Sequence, residues 1–250
     1  NLSLLNTPWY IKQLRDDDPR LPINMTDNEI RGIRPSPWQK KEFNLPGNGK
    51  TGTGLNWELK PTYGGRFLRV QDIMIIRLIA DINWKTPIYF AVTVSPENRI
   101  GLEDYLQMEG LVFRLRPEKT EQLNYSRMVQ NITETPNPNN VIRTADDYVN
   151  YISSGEGIYR YTNLNNSKVY FNDNIHRLIQ NYRSAFLQLS INNVYSSRSD
   201  KQERTLGLLK QMDSYFPPEI LPLRNIDLEL QIARLYKEAG DVDEYVDRLE

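Results

Sequence analysis

The stretch FLRVQDIMIIRLIADINWKTPIYFAVTVSP, residues 67–96, restricts the fold more than any other part of the chain. From Gln71 or Asp72 to Ile82 it is apolar on nearly every side, which predicts a buried helix. Its one polar stripe is Arg77, Asp81 and Lys85, spaced i, i+4, i+8. Asn83 to Pro87 stop the helix, and Ile88 to Val94 is apolar on both faces, as a central strand should be. A short strand, Phe67 to Val70, precedes it. A helix from Leu102 to Met108, capped by Gly110, and a strand from Leu111 to Leu115 follow. This alternation predicts an α/β class with a mixed or parallel layer.

The rest of the chain is organised around that layer. Asn1 to Leu5 reads as the end of a buried strand. Asn6 or Thr7 caps a helix with Pro8 in its first turn, which Asp16, Asp17, Asp18 and Pro19 end. The abrupt start at NLSLL reads as a cut through a longer protein. Residues 1–117 are expected to form the α/β domain, with a long variable insertion at about 20–65. Residues 118–172 form a connecting segment. It holds the turn-rich ETPNPNN and a hairpin pairing Ile158–Tyr161 with Val169–Phe171 around NLNN.

Residues 173–250 read as helical throughout. Leu178, Tyr182, Ala185, Phe186 and Leu189 mark one helix face; Leu206, Leu209, Met212 and Phe216 mark the next. A third helix, Leu228 to Ala239, packs through Leu228, Ile232 and Leu235, and a fourth begins at Val242. Tyr195-Ser-Ser-Arg-Ser-Asp200 and Tyr236-Lys-Glu-Ala-Gly-Asp241 align at an offset of 41 residues. That offset fits a tetratricopeptide-like repeat of roughly 34 residues carrying an inserted FPPEILP turn. On the third helix Arg234 and Lys237 fall away from the packing stripe. They are the expected partner-binding residues of the tail. Trp9 and Trp84 are their counterparts in the α/β half, where aromatic rings serve core packing or stack on a sugar.

Little in the chain carries catalytic chemistry. The GKT of NLPGNGKTGTG suggests a phosphate-binding loop, but Asn44 stands where its first glycine belongs. The glycines after Thr51 open no helix, so no nucleotide is expected. His176, the only histidine, has no nucleophile elbow to serve and reads as a capping or exposed residue. With no cysteine there is no zinc ligand set, and Asp16 to Asp18 read as a solvated helix exit. A net charge of −1 removes the basic footprint of a nucleic-acid binder. No stretch is long and apolar enough to span a bilayer. No catalytic residue, cofactor or metal is expected. The sequons at Asn1, Asn24, Asn124, Asn131 and Asn165 fit an asparagine-rich chain and permit glycosylation outside the cytosol.

Three blocks, NLSLLNTPWYIKQL, LRVQDIMIIRLIADINWKTPIYFAVTVS and GLEDYLQMEGLVFRLRP, resemble consecutive blocks of one bacterial family. These are the many-pass membrane proteins of the protein O-mannosyltransferase-like kind, formerly a domain of unknown function. The resemblance covers roughly residues 1–116, and a tetratricopeptide-like tail is also carried by such proteins. It implies a parent that is a type C glycosyltransferase in the bacterial inner membrane, using a polyprenyl-phosphate sugar. This chain would be its soluble periplasmic region, with the catalytic acid elsewhere. The implied partners are the membrane half of the same polypeptide and an acceptor protein or peptide. A tetratricopeptide-type scaffold unrelated to sugar transfer is the alternative.

Overall fold

Two antiparallel strands, β1 (Lys41–Leu45) and β2 (Leu55–Leu59), open the described part of the chain, in register with Phe43 opposite Trp57. The computed structural model describes residues 41–45, 54–59, 68–137 and 143–249. Trp9, the expected helix after Thr7, Asp16 to Asp18 and the NGKTG segment of the glycine loop therefore lie outside the described residues. The chain divides into two compact units. One is Asn1–Gln107 with Arg114–Gln122; the other is Met108–Phe113 with Leu123–Glu250.

In the first unit, Leu68 and Arg69 lead directly into helix α1 (Val70–Ile82). The backbone N–H of Arg69 donates to the buried carboxylate of Asp72 at 2.8 Å, and its guanidinium completes an ion pair at 3.2 Å. This ties down the first turn, where amides have no helical partner. Ile73, Ile76 and Ile79 form the buried face. The expectation of a helix buried all round needs correction, because Val70, Met74 and Leu78 are exposed at i, i+4 and i+8. Periodicity reports apolar character, and only one side of this helix is covered. The expected Arg77–Asp81 pair forms at 3.3 Å on the surface, where it adds little stability.

Three short strands follow: β3 (Tyr89–Ala91), β4 (Leu106–Met108) and β5 (Val112–Leu115), in the order β3-β5-β4. The strand expected at Ile88–Val94 is thus an edge strand, with Phe90 as its buried residue. The expected helix over Leu102–Met108 is replaced by a 3-10 turn, Glu103–Tyr105, running into β4. Apolar residues at 102, 105, 106 and 108 imitate a helix face, yet Gly110 at φ +114° turns the chain back as a hairpin. Glu109 N–H donates to Val112 C=O at 2.9 Å, and Arg116 N–H to Tyr105 C=O at 2.8 Å, an antiparallel pairing. Of the two strand arrangements the alternation allows, β1–β2 and β4–β5 exclude the wholly parallel one. The class itself, α/β with a helical tail, is the one the chain adopts. Strand β2 is held by Trp57, whose Nε1–H donates to Ile100 C=O at 2.9 Å, and by the Tyr105 hydroxyl, which donates to Asn56 C=O at 2.6 Å.

The second unit contains α2 (Tyr125–Thr133), α3 (Ala145–Ser154), α4 (Asp173–Val194), α5 (Lys201–Tyr215), α6 (Ile226–Glu238) and α7 (Val242–Asp247). Side chains of Asn124, Thr144, Asn172, Asn225 and Asp241 cap five of these helices. The hairpin expected at 158–171 is absent: those residues run as turns and irregular chain. Tyr159 and Tyr161 enter an aromatic cluster instead, and the Tyr161 ring stacks on Tyr215 at 4.3 Å. The faces of the long helices also shift from expectation. In α4, Ile179 is buried while Leu178 is 58% exposed, because Arg183 and Phe186 set which side meets α5.

Candidate functional site

The groove nearest to any expected site residue lies at the C-terminal end of α1. Helical turns need left-handed residues to reverse direction, and here two non-glycine residues in succession supply it: Asn83 at φ +45° and Trp84 at φ +62°. Such conformations cost free energy in a side-chain-bearing residue and collect where the chain must present something. The Lys85 N–H closes a turn onto the Ile82 carbonyl at 3.0 Å, and past the bend at Lys85 and Thr86 the chain reaches Ile88, whose carbonyl accepts the Leu115 N–H at 2.9 Å. Beyond that clamp β5 ends, and the chain passes through Arg116 into a bend at Pro117 and Glu118. The segments 84–88 and 114–118 together line an open groove of ≈ 420 Å³.

Its walls are unusually charged for a chain of net charge −1. Lys85, Arg114 and Arg116 supply three cations against the single carboxylate of Glu118, with Trp84, Pro87 and Pro117 as apolar wall. Lys85 is exposed and has no carboxylate partner among the described residues; the same holds for the half-buried Arg116. The Nε of Arg116 is buried and has no acceptor among the described residues.

The sequence points to Trp84 but misses its neighbours. Lys85 reads as the end of the α1 polar stripe, although the helix stops before it. Arg114 and Arg116 carry a signal that can be read: two residues apart in extended chain, they face the same side.

The remaining expected residues are placed separately. Arg234 and Lys237 lie on α6, both exposed, while Ile232 and Leu235 are buried beneath. The Lys237 ammonium sits 5.1 Å from the centre of the Tyr245 ring, so part of its charge is spent within the tail. Arg234 has no partner among the described residues. Trp84 belongs to the other unit.

His176 corrects its own expectation. It is buried rather than exposed, its ring edge-on to Phe171 at 6.5 Å, and Asn172 makes the cap by accepting the Ile175 N–H at 3.0 Å. It walls a depression of ≈ 390 Å³ with Asp173, Arg177, Gln180 and Arg224. There Arg224 pairs with Asp173 at 2.6 Å, and its hydrogen bond holds that carboxyl below the usual carboxylate range. No serine or threonine hydroxyl is hydrogen-bonded to His176 among the described residues, so this depression has no hydrolytic constellation.

A buried polar knot lies where α5, α6 and α7 meet. The Tyr236 hydroxyl and the Arg248 guanidinium both donate to Asp213, and Arg248 also reaches Glu244 at 2.8 Å. Burial pushes the Asp213 carboxyl above its ordinary range, while the hydrogen bond from Tyr236 and the charge of Arg248 oppose the shift. The other donors here are engaged within the tail, and one Arg248 nitrogen is buried with no acceptor among the described residues.

Comparison with known proteins bears on the first of these sites. Residues 48–134 match the family model described as TMEM260-associated domain 2; the TMEM260 family is protein O-mannosyltransferase-like. The match covers about a third of the chain and contains every residue that lines the groove. It takes in the glycine loop, which reads as family-variable from the sequence, and leaves NLSLLNTPWYIKQL outside. No curated protein and no solved structure matches the chain. No helix among the described residues is long and apolar enough to cross a membrane, and no acidic or histidine cluster there is arranged to hold a metal ion.

Proposed function

We propose that this chain is an extracytoplasmic accessory region of a membrane-embedded protein glycosyltransferase of the O-mannosyltransferase-like kind. The enzyme uses a polyprenyl-phosphate sugar, and the region binds the acceptor or braces the membrane half. Its parent sits in a bacterial inner membrane and the region itself in the periplasm. The observation that carries this reading is the family match over residues 48–134, the stretch that builds the charged groove.

The test compares the complete polypeptide with a version lacking residues 1–250, each reconstituted with a polyprenyl-phosphate sugar and an acceptor protein. Loss of transfer, with the membrane half still folded, is expected. Transfer that is unchanged without the region would sink the reading. The isolated chain should transfer no sugar.

A second reading, a tetratricopeptide-type interaction scaffold unrelated to sugar, is favoured by the helix pairs α4–α5 and α6–α7 and by the exposed Arg234 and Lys237. Membrane-length apolar segments encoded before Asn1 rule it out. Within the first reading, Arg234→Glu with Lys237→Glu tests the tail: weakened acceptor capture at an unchanged Tm assigns that face to the partner.

A further inference from the structure

We infer that the depression at the start of α4, lined by Asp173, His176, Arg177, Gln180 and Arg224, binds a phosphate monoester group. It lies wholly in the second unit and outside the residues that the family model matches, so it stands whether or not the region serves sugar transfer.

His176 is the residue that points to a ligand. It is 9% exposed, and its ring nitrogens have no hydrogen-bond partner among the described residues. Neither nitrogen is sealed off by protein, and the depression is the space that the ring lines. Side chains this deeply buried nearly always have their polar atoms hydrogen-bonded. The partner of this one has to enter through the depression. Phe171 holds the ring edge-on at 6.5 Å, so the group is in place before anything binds.

The sign of the ligand follows from the neighbours. Asp173 and Arg224 are paired at 2.6 Å and cancel. Arg177 is left over: it is exposed, and its guanidinium donates to the neutral side chain of Asn174. Gln180 has no side-chain hydrogen bond among the described residues. The backbone adds to this charge. The Asn172 side chain caps the Ile175 N–H, while the amides of Asp173 and Asn174 have no acceptor among the described residues. One uncompensated guanidinium, two neutral donors and the positive end of a 22-residue helix favour an anion.

Direction and size select the phosphate. Donors come from α4 on one side, through His176, Arg177 and Gln180, and on the other from Arg224 in the segment before α6. A carboxylate presents two oxygens in one plane, whereas a phosphate monoester presents three and accepts from several sides at once. At ≈ 390 Å³ the depression falls within the range of about 300–1,000 Å³ usual for small-molecule sites, which leaves room for the group that carries the phosphate.

The experiment follows the amide spectrum of the ¹⁵N-labelled chain of residues 1–250 as inorganic phosphate and then phenyl phosphate are added. Saturable shifts confined to residues 172–180 and 224 are expected in the millimolar range, and none with sodium chloride at equal ionic strength. Arg177→Gln changes an exposed side chain and should weaken phosphate by about tenfold or more. Asp173→Asn, also exposed, removes the one nearby negative charge and frees Arg224, and should tighten binding by about threefold or more. His176→Phe keeps the ring and removes its nitrogens, and should weaken binding by about threefold or more; the two exposed variants carry the test if it does not fold. No saturable shift, equal saturation by acetate, undiminished binding in folded Arg177→Gln, or weaker binding in Asp173→Asn each overturns the inference. Vesicles of phosphatidylcholine with and without phosphatidic acid then separate the sources. Co-sedimentation that needs phosphatidic acid supports the site as one for a lipid headgroup, and phenyl phosphate binding without co-sedimentation supports it as one for a soluble ester.

Discussion

The hydroxyl of Tyr159 accepts the backbone N–H of Leu111 at 2.7 Å, across the turn made by Gly110. The same ring lies where a side chain at Gly110 would have to go: an added Cβ would stand 2.5 Å from the Tyr159 oxygen. Gly110 also sits at φ +114°, and its N–H donates to the Met128 sulfur at 2.8 Å. The β4–β5 turn is thus shaped by residues far along the chain as much as by its own sequence.

Gly110→Ala should therefore destabilise the protein by about 2–3 kcal/mol, from the backbone conformation and the displaced ring together. Tyr159→Phe keeps the ring and leaves the Leu111 N–H without its acceptor, a loss of about 1–3 kcal/mol. Urea unfolding of both variants checks the pair. Equal stability of Gly110→Ala and the parent chain would show that the turn is not constrained this way.

Arg183 is almost wholly buried, and its guanidinium donates to the carbonyls of Phe216 and Leu221 on either side of Pro217 and Pro218. Burial pulls it down to about 10, with Asp213 opposing. Arg183→Met fills similar space but leaves two buried carbonyls unpaired, so a loss of about 2–5 kcal/mol is expected. Faster amide exchange in the loop from Phe216 to Leu221 should accompany it.

Gly157 approaches the end of α2 so closely that an added Cβ would lie 1.8 Å from the Glu134 carbonyl oxygen. That neighbour is backbone and cannot rotate aside. Gly157→Ala should cost about 1–3 kcal/mol or more and disturb the amide resonances of residues 131–135 before those of α5.

Asp241 caps α7 by accepting the Glu244 N–H and pairs with Lys210; both hold its carboxyl below the ordinary range, the backbone bond foremost. A carboxyl depressed in the folded state binds fewer protons than in the unfolded chain. Its contribution is therefore fully present above the usual carboxylate pKa and drains away as pH falls through the lowered value. The protection factor of the Glu244 amide, its exchange rate relative to the unfolded-chain rate at the same pH, should fall on acidification from about pH 5 to about pH 2. Asp241→Asn, which still caps, should flatten that profile. A profile as steep as in the parent chain would assign the effect to another group.

Much of the helical tail was readable from the sequence, since it depends on local chemistry. The break at Pro217–Pro218 and buried Ile232 and Leu235 follow from spacing that neighbours in sequence enforce. The reversal after Ile82 is local too, because Asn83 tolerates the left-handed conformation that ends a helix. Other features needed partners distant in sequence. Whether Leu102 to Met108 becomes helix or strand depends on β5 being there to pair with. Whether Met74 is core or surface depends on what covers α1, and whether Tyr161 stands in a hairpin or a cluster depends on Tyr215. The groove is of this second kind. Lys85, Arg114 and Arg116 are ordinary surface cations in the sequence, and the pairing of β3 with β5, with the Leu115–Ile88 bond at its edge, fixes the two segments that gather them. Apolar patterning is enforced residue by residue along the chain; a row of like charges forms only where folded backbone holds the segments side by side.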